Sequence, residues 1–202
     1  MPSAPTSKLR TFEELVQAMF DGREGYIREI VGGEIVETQR PGPPHVEASS
    51  HLGALLVGRF RFGNGGPGGW MILDEPAIRF GDDVRVPDLA GWRVERYVRP
   101  SDGVYLVVPD WICELLSPGT VRNDRTTKLP LYARHGVKHV WLLDAVAQTL
   151  EVYRLHDVGW YLAGTFGGDA KVRAEPFDAV ELDLSLLWGA SSVADEREPA
   201  TE

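Results

Sequence analysis

The sequence predicts an α+β or α/β domain: one mixed β-sheet flanked by helices, with an N-terminal helix and a β-hairpin ahead of it. Three observations carry that prediction. Apolar residues recur at three and four spacing in one long segment, which is the mark of a helix with a buried face. Short β-branched and aromatic runs bounded by Gly, Pro and Asp recur along the rest of the chain, as strands do. The order of these segments puts the long helix before the sheet and a second helix after its central strand.

The elements follow in turn. Thr11 with Glu14 three residues later is a capping box in front of Phe-Glu-Glu-Leu-Val-Gln-Ala-Met-Phe, because hydroxyl and carboxylate satisfy the free N–H groups of a helix start. Tyr26 to Val31 and Glu34 to Thr38 alternate on either side of Gly32-Gly33, a tight hairpin in which glycine takes positive φ without strain. Pro41 to Pro44 end the hairpin and open a helix over about Val46 to Phe62, with Leu52, Leu55, Leu56 and Phe60 on one face. The glycine-rich stretch from Gly63 to Gly69 precedes a strand and lacks a following Gly-Lys-Ser/Thr, so it reads as a loop and not a phosphate cradle. Strands are expected at Trp70 to Leu73, Ala77 to Phe80, Val84 to Trp92, Val104 to Val108 and Trp111 to Leu116. Ser117-Pro118-Gly119-Thr120 opens a helix reaching Arg134, which Pro130 either kinks or restarts, and Gly136 closes it. Lys138 to Leu143, Leu150 to Leu155 and Tyr161 to Phe166 complete the sheet.

At 202 residues the chain has one domain's length and can bury a full core without disulfides or a structural metal. The formal charge of −9 excludes a polybasic, histone-like binder, while a nuclease, whose metal site needs carboxylates, stays open. One cysteine, Cys113, excludes an internal disulfide and a cysteine zinc site. The N-terminal decapeptide lacks a signal peptide's apolar run, and no segment has the roughly 18 apolar residues of a membrane helix, so a soluble, cytoplasmic protein with no membrane partner is expected.

Three polar residues stand in places where chemistry would put them. Asp88 follows Val86-Pro87 near a strand end, where proline has removed a ladder donor. Glu114 lies inside Trp111-Ile112-Cys113-Glu114-Leu115-Leu116, an apolar run in which a carboxylate is costly unless paired or bound to a cation. Lys128 shares a helix face with Asp124 one turn earlier. Two carboxylates on neighbouring strands and one lysine are what metal-assisted phosphodiester hydrolysis needs: oxygens to hold Mg²⁺, and a cation to steady charge. Plainer roles are open to each: Asp88 capping a turn, Glu114 neutralised by an arginine, Lys128 a solvated helix charge. Asp110, in a second Pro-Asp, lies about 13 Å from Glu114 along one strand at 3.3 Å per residue and cannot share an ion with it.

Pro87-Asp88, Cys113-Glu114-Leu115-Leu116-Ser117-Pro118-Gly119-Thr120, Asp124, Lys128, Tyr132, Gly136-Val137 and Trp141 together resemble the Uma-type (second group) restriction endonucleases of the PD-(D/E)XK nuclease superfamily. The resemblance covers about residues 11 to 188 and takes in the early helix, the hairpin and His45. It implies a restriction-endonuclease-like fold and a metal-dependent DNA endonuclease using Mg²⁺, with Mn²⁺ as an alternative ion. Asp88, Glu114 and the backbone carbonyl of Leu115 would be the metal ligands. The superfamily's lysine, two residues after the glutamate, is replaced by Leu116, and Lys128 on the following helix is the candidate substitute. The domain assignment on this basis is a flexible N-terminus at 1–10, a single nuclease domain at 11–188 and an acidic, disordered tail at 189–202.

Further candidates are accessory. His45, Glu47 and His51 lie about the start of the long helix, with Glu47 and His51 one turn apart, and a carboxylate from such a helix can reach a metal; Asp124 would orient Lys128. From Val121 to Val140, Arg122, Arg125, Lys128, Arg134 and Lys138 face only one acid, Asp124, which suits a polyanion approaching the site. Cys113 reads as buried and structural, and the six tryptophans as mostly core. A homodimer is expected of a nuclease that cuts both strands. The alternative is a catalytically silent nuclease fold kept as a binding or assembly module, with Leu116 as the trace of decay.

Overall fold

The computed structural model describes residues 11–22, 24–157 and 159–188. The expected flexible N-terminus and acidic tail lie outside these residues. Helix α1 (Phe12–Phe20) starts at the capping box: Thr11 Oγ1 accepts from Glu14 N at 3.2 Å, and Glu14 Oε2 accepts from Thr11 N at 2.9 Å. The hairpin β1 (Tyr26–Val31) and β2 (Glu34–Gln39) pairs in register around Gly32 and Gly33, both at positive φ.

Helix α2 (Pro43–Leu56) begins three residues earlier than expected, with Pro43 and Pro44 inside its first turn. Their missing N–H groups belong to positions that would be unbonded in any case. Its last turn, Val57–Arg61, widens into a π-helix. After the glycine loop come β3 (Trp70–Asp74), β4 (Ala77–Phe80), β5 (Asp83–Arg85), β6 (Leu89–Arg93), β7 (Val104–Tyr105) and β8 (Trp111–Leu115). The single strand expected over Val84 to Trp92 is in fact two, because Val86-Pro87-Asp88 carries the chain out of one sheet and into another.

The second half holds helix α3 (Val121–Asn123), a π-helical turn (Asp124–Lys128) and helix α4 (Leu129–Arg134). Pro130 lies in the first turn of α4, and the backbone stays helical from Val121 to Arg134, so the chain does not break there; the ladder widens into the π-helical turn just ahead of the proline, which has no N–H to donate. Strands β9 (His139–Asp144), β10 (Thr149–His156) and β11 (Gly159–Gly167) follow, with two short strands the sequence did not announce, β12 (Lys171–Val172) and β13 (Leu182–Asp183).

Among the described residues the expected single mixed sheet is divided. One sheet runs β2-β1-β5-β4-β7, the other β11-β10-β9-β8-β6-β3, and β12 pairs with β13 alone. Both larger sheets are mixed, antiparallel except for β4 with β7 and β8 with β9. Alternation along β8 sorts its side chains. Trp111, Cys113 and Leu115 face α2, packing with Leu52, Leu56 and Phe60 in one core. Ile112 faces the other way, with Leu116, Leu129, Leu131 and Tyr132 in a second core between the two sheets and α4. Trp70, Trp92, Trp111 and Trp141 are all core residues, as expected. A third cluster seats α1 on the five-stranded sheet through Leu15, Met19, Ile30 and Val84.

Candidate active site

Three elements meet at one end of β8. The link between the sheets delivers Asp88. The end of β8 delivers Glu114 on the face turned from α2. The π-helical turn delivers Asp124 and Lys128 on one side, since residues four apart lie one above the other.

Asp88 is held by the backbone it faces. Pairing of β6 with β8 ends at Leu89 opposite Cys113, so Leu115 N has no strand partner there. Asp88 Oδ2 takes that N–H at 2.7 Å. The other oxygen, Oδ1, lies 3.2 Å from His45 Nε2. The His45 ring also hydrogen-bonds to the Leu115 backbone. Burial works to lower the His45 pKa, yet Asp88 and the Leu115 carbonyl outweigh it and leave the ring more basic than usual.

Glu114 is 2% exposed and fully hydrogen-bonded. Lys128 Nζ donates to Oε2 at 2.9 Å, and Tyr132 Oη donates to Oε1 at 2.5 Å. Its cation is therefore a lysine and not the arginine considered as the plainer alternative. Burial pushes the Glu114 carboxyl up to about 8; Lys128 pulls the other way, and Asp124 and Asp88 add to the rise. Lys128 itself is buried, which favours its neutral form, but Glu114, Glu29 and Asp124 together hold it charged and well above the usual lysine range. Nζ lies 3.5 Å from Asp124 Oδ1 and 3.7 Å from Glu29 Oε1. Asp124 Oδ1 is buried without a hydrogen bond, so it depends on that ammonium for compensation.

The sequence candidates are thus partly gathered and partly dispersed. Asp88, Glu114, Leu115, Asp124, Lys128 and His45 line one cavity of about 230 Å³. His45 belongs to the first turn of α2 and does not precede the helix. Glu47 and His51 are exposed on α2 and do not line the cavity, because the helix turns their face to solvent. Asp110 is engaged elsewhere, by Arg96 and the N–H of Arg93. Leu116 packs in the core between the sheets, so the usual lysine position is structural here. The expected basic face is weaker than its sequence: Lys128 is buried against Glu114, and Arg125 is taken up by both oxygens of Glu151, leaving Arg122, Arg134 and Lys138 exposed. Cys113 is buried, and burial first, then Asp88 and Glu114, push its thiol well above the ordinary range, so it is no nucleophile.

Glu29 is the residue the sequence did not flag. It reaches the cavity from β1, with Oε1 accepting from Val86 N at 2.9 Å and Oε2 from Arg85 Nη1 at 3.3 Å. An alternating strand gives no sign that one of its acids turns inward until the second sheet is placed beside it. Tyr132 had a signal, one turn beyond Lys128 on the same face.

Four carboxylates (Glu29, Asp88, Glu114 and Asp124) share this cavity with one lysine. That excess of hard oxygen donors fits Mg²⁺ or Mn²⁺, not a soft ion. Among the described residues no three acidic, histidine or cysteine side chains are already gathered to enclose an ion. Mg²⁺ does not require it, since it commonly takes one or two carboxylates and keeps its waters. Asp88 and the Leu115 backbone line the cavity as oxygen donors of that kind, while Lys128 and Tyr132 occupy both oxygens of Glu114.

The comparisons with known proteins agree with this architecture. A family model described as "Uma2: Putative restriction endonuclease" matches residues 12–186. Among solved structures, a protein from Anabaena variabilis ATCC 29413, described as a putative nuclease belonging to DUF820, has the same fold. Its TM-score is 0.70 at 24% identity, over 89% of this chain and 97% of that one. No curated protein matches the chain. No helix among the described residues is long and apolar enough to cross a membrane. A match over residues 12–186, from the first helix to beyond β13, on a restriction-endonuclease-like fold, makes this chain a member of the Uma2 family.

Proposed function

We propose that this protein is a metal-dependent DNA endonuclease that hydrolyses phosphodiester bonds at the cavity holding Asp88, Glu114 and Lys128. The observation that carries the reading is the meeting of Asp88 from the link between the sheets and Glu114 from β8 with a buried lysine from the following helical turn, 2.9 Å from Glu114. The family's description and the nuclease neighbour support the substrate class.

Asp88, Glu114 and the Leu115 carbonyl would hold Mg²⁺, or Mn²⁺ in its place. Such an ion polarises the scissile phosphate and lowers the pKa of a bound water. Lys128 keeps a fixed positive charge beside Glu114, where it can steady the developing charge of attacking water or phosphate. Asp124 and Glu29 keep its side chain from drifting. Tyr132 orients the Glu114 carboxylate by holding Oε1. The reading takes residues 11–188 as one nuclease domain in the cytoplasm. It acts as a homodimer, because two copies related by a twofold axis match two strands of opposite polarity.

The test is cleavage of supercoiled plasmid with Mg²⁺ or Mn²⁺, beside an EDTA control and the Glu114→Ala and Lys128→Ala proteins. Nicking that needs the ion and disappears in both variants is expected. Undiminished nicking by Glu114→Ala would sink the assignment. Absence of cleavage with either ion would favour the catalytically silent binding or assembly module.

A further inference from the structure

His45 sits where a ligand would. It occupies the first turn of α2, behind two prolines that fix the backbone, and its side chain is only 13% exposed. It touches two groups, Asp88 Oδ1 and the Leu115 backbone, and both belong to the proposed donor set. With metal–ligand bonds of about 2.1 Å, adjacent corners of an octahedral shell stand about 3 Å apart. His45 Nε2 and Asp88 Oδ1 stand 3.2 Å apart at hydrogen-bond distance, which is also the spacing of two neighbours in one shell, so an ion bound there would take the place of the proton between them.

We propose that His45 is a nitrogen ligand of the ion held by Asp88 and the Leu115 carbonyl, and that it makes the site prefer Mn²⁺ to Mg²⁺. The inference rests on the metal-dependent reading above. Its chemistry is donor softness: imidazole suits transition metals, whereas Mg²⁺ demands oxygen and gives up its waters reluctantly. A site made only of oxygens from Asp88, Glu114 and the Leu115 carbonyl would lack this preference.

The full-length protein loaded with Mn²⁺ supplies the test, by pulsed electron paramagnetic resonance and by titration calorimetry with Mn²⁺ and Mg²⁺. Wild type should show coupling from a directly bonded ¹⁴N, altered by ¹⁵N-histidine labelling and lost in His45→Ala. The same variant should weaken Mn²⁺ binding about tenfold or more while changing Mg²⁺ binding much less. Mn²⁺ bound without nitrogen coupling, or equal weakening of both ions, would overturn the inference and leave the metal reading standing. Failure of wild type to bind either ion would overturn both. The labelled wild type decides the question even if the variant folds poorly.

Discussion

Replacing Lys128 with methionine keeps the length of the stem and removes only the charge. In the folded protein it leaves Glu114, Asp124 and Glu29 facing one another without their shared cation, two of them 2% exposed. Breaking a buried ion pair by deleting one partner costs about 3–5 kcal/mol, because the remaining charge is uncompensated. Tyr132 still donates to Glu114, and Glu114 can take up a proton, so the lower part of that range is expected near neutral pH. With a urea slope of about 2 kcal/mol per molar, the unfolding midpoint should fall by about 1.5–2 M. Lys138→Met, at an exposed lysine, is the control and should stay within about 0.5 kcal/mol of wild type. The carboxylates deprived of lysine should then accept a different cation. Mg²⁺ or Mn²⁺ should stabilise Lys128→Met more than wild type, with the midpoint rising as the ion concentration rises. A loss below about 1 kcal/mol would refute the view of Lys128 as the counterion of this cluster. Equal response of both proteins to the ions would refute the view that lysine and metal answer the same carboxylates.

Two other outcomes follow from the core and from a histidine remote from the site. A Cβ at Gly91 would meet Trp111 Cε3 at 3.2 Å and Trp70 Cε3 at 3.3 Å, so Gly91→Ala should destabilise by about 1–3 kcal/mol in urea unfolding; wild-type stability would mean that this ring packing is slack. His139 is held below its ordinary value of 6.5, chiefly by burial, so the unfolded chain takes up its proton first as the solution is acidified. Stability contributed by His139 is therefore full above about pH 6.5 and is lost as pH falls through its folded value; His139→Gln should flatten that decline, and an unchanged slope would refute the assignment.

Much of the fold is legible from local chemistry. The capping box fixed the start of α1, the paired glycines fixed the hairpin, and Gly136 at positive φ ended α4 as a helix-closing glycine should. Glu114 was conspicuous because a carboxylate inside an apolar strand demands a partner, and Lys128 stood out by its position after the strand. These signals are short-range, so they survive in one dimension.

What the chain order could not settle was which sheet each strand joins. Val84 to Trp92 reads as one apolar run, but Val86-Pro87-Asp88 bends between two sheets, and that bend aims Asp88 at the free N–H of Leu115. The division of the sheets also turns Glu29 inward, 85 residues before the Glu114 whose lysine it shares. Helix phase decided the rest: α2 begins at Pro43, which points His45 into the cavity and sends Glu47 and His51 to solvent. Residue type and local spacing determine which groups are capable of chemistry. Which of them meet is decided by long-range packing, because only packing removes the water that would otherwise be their partner.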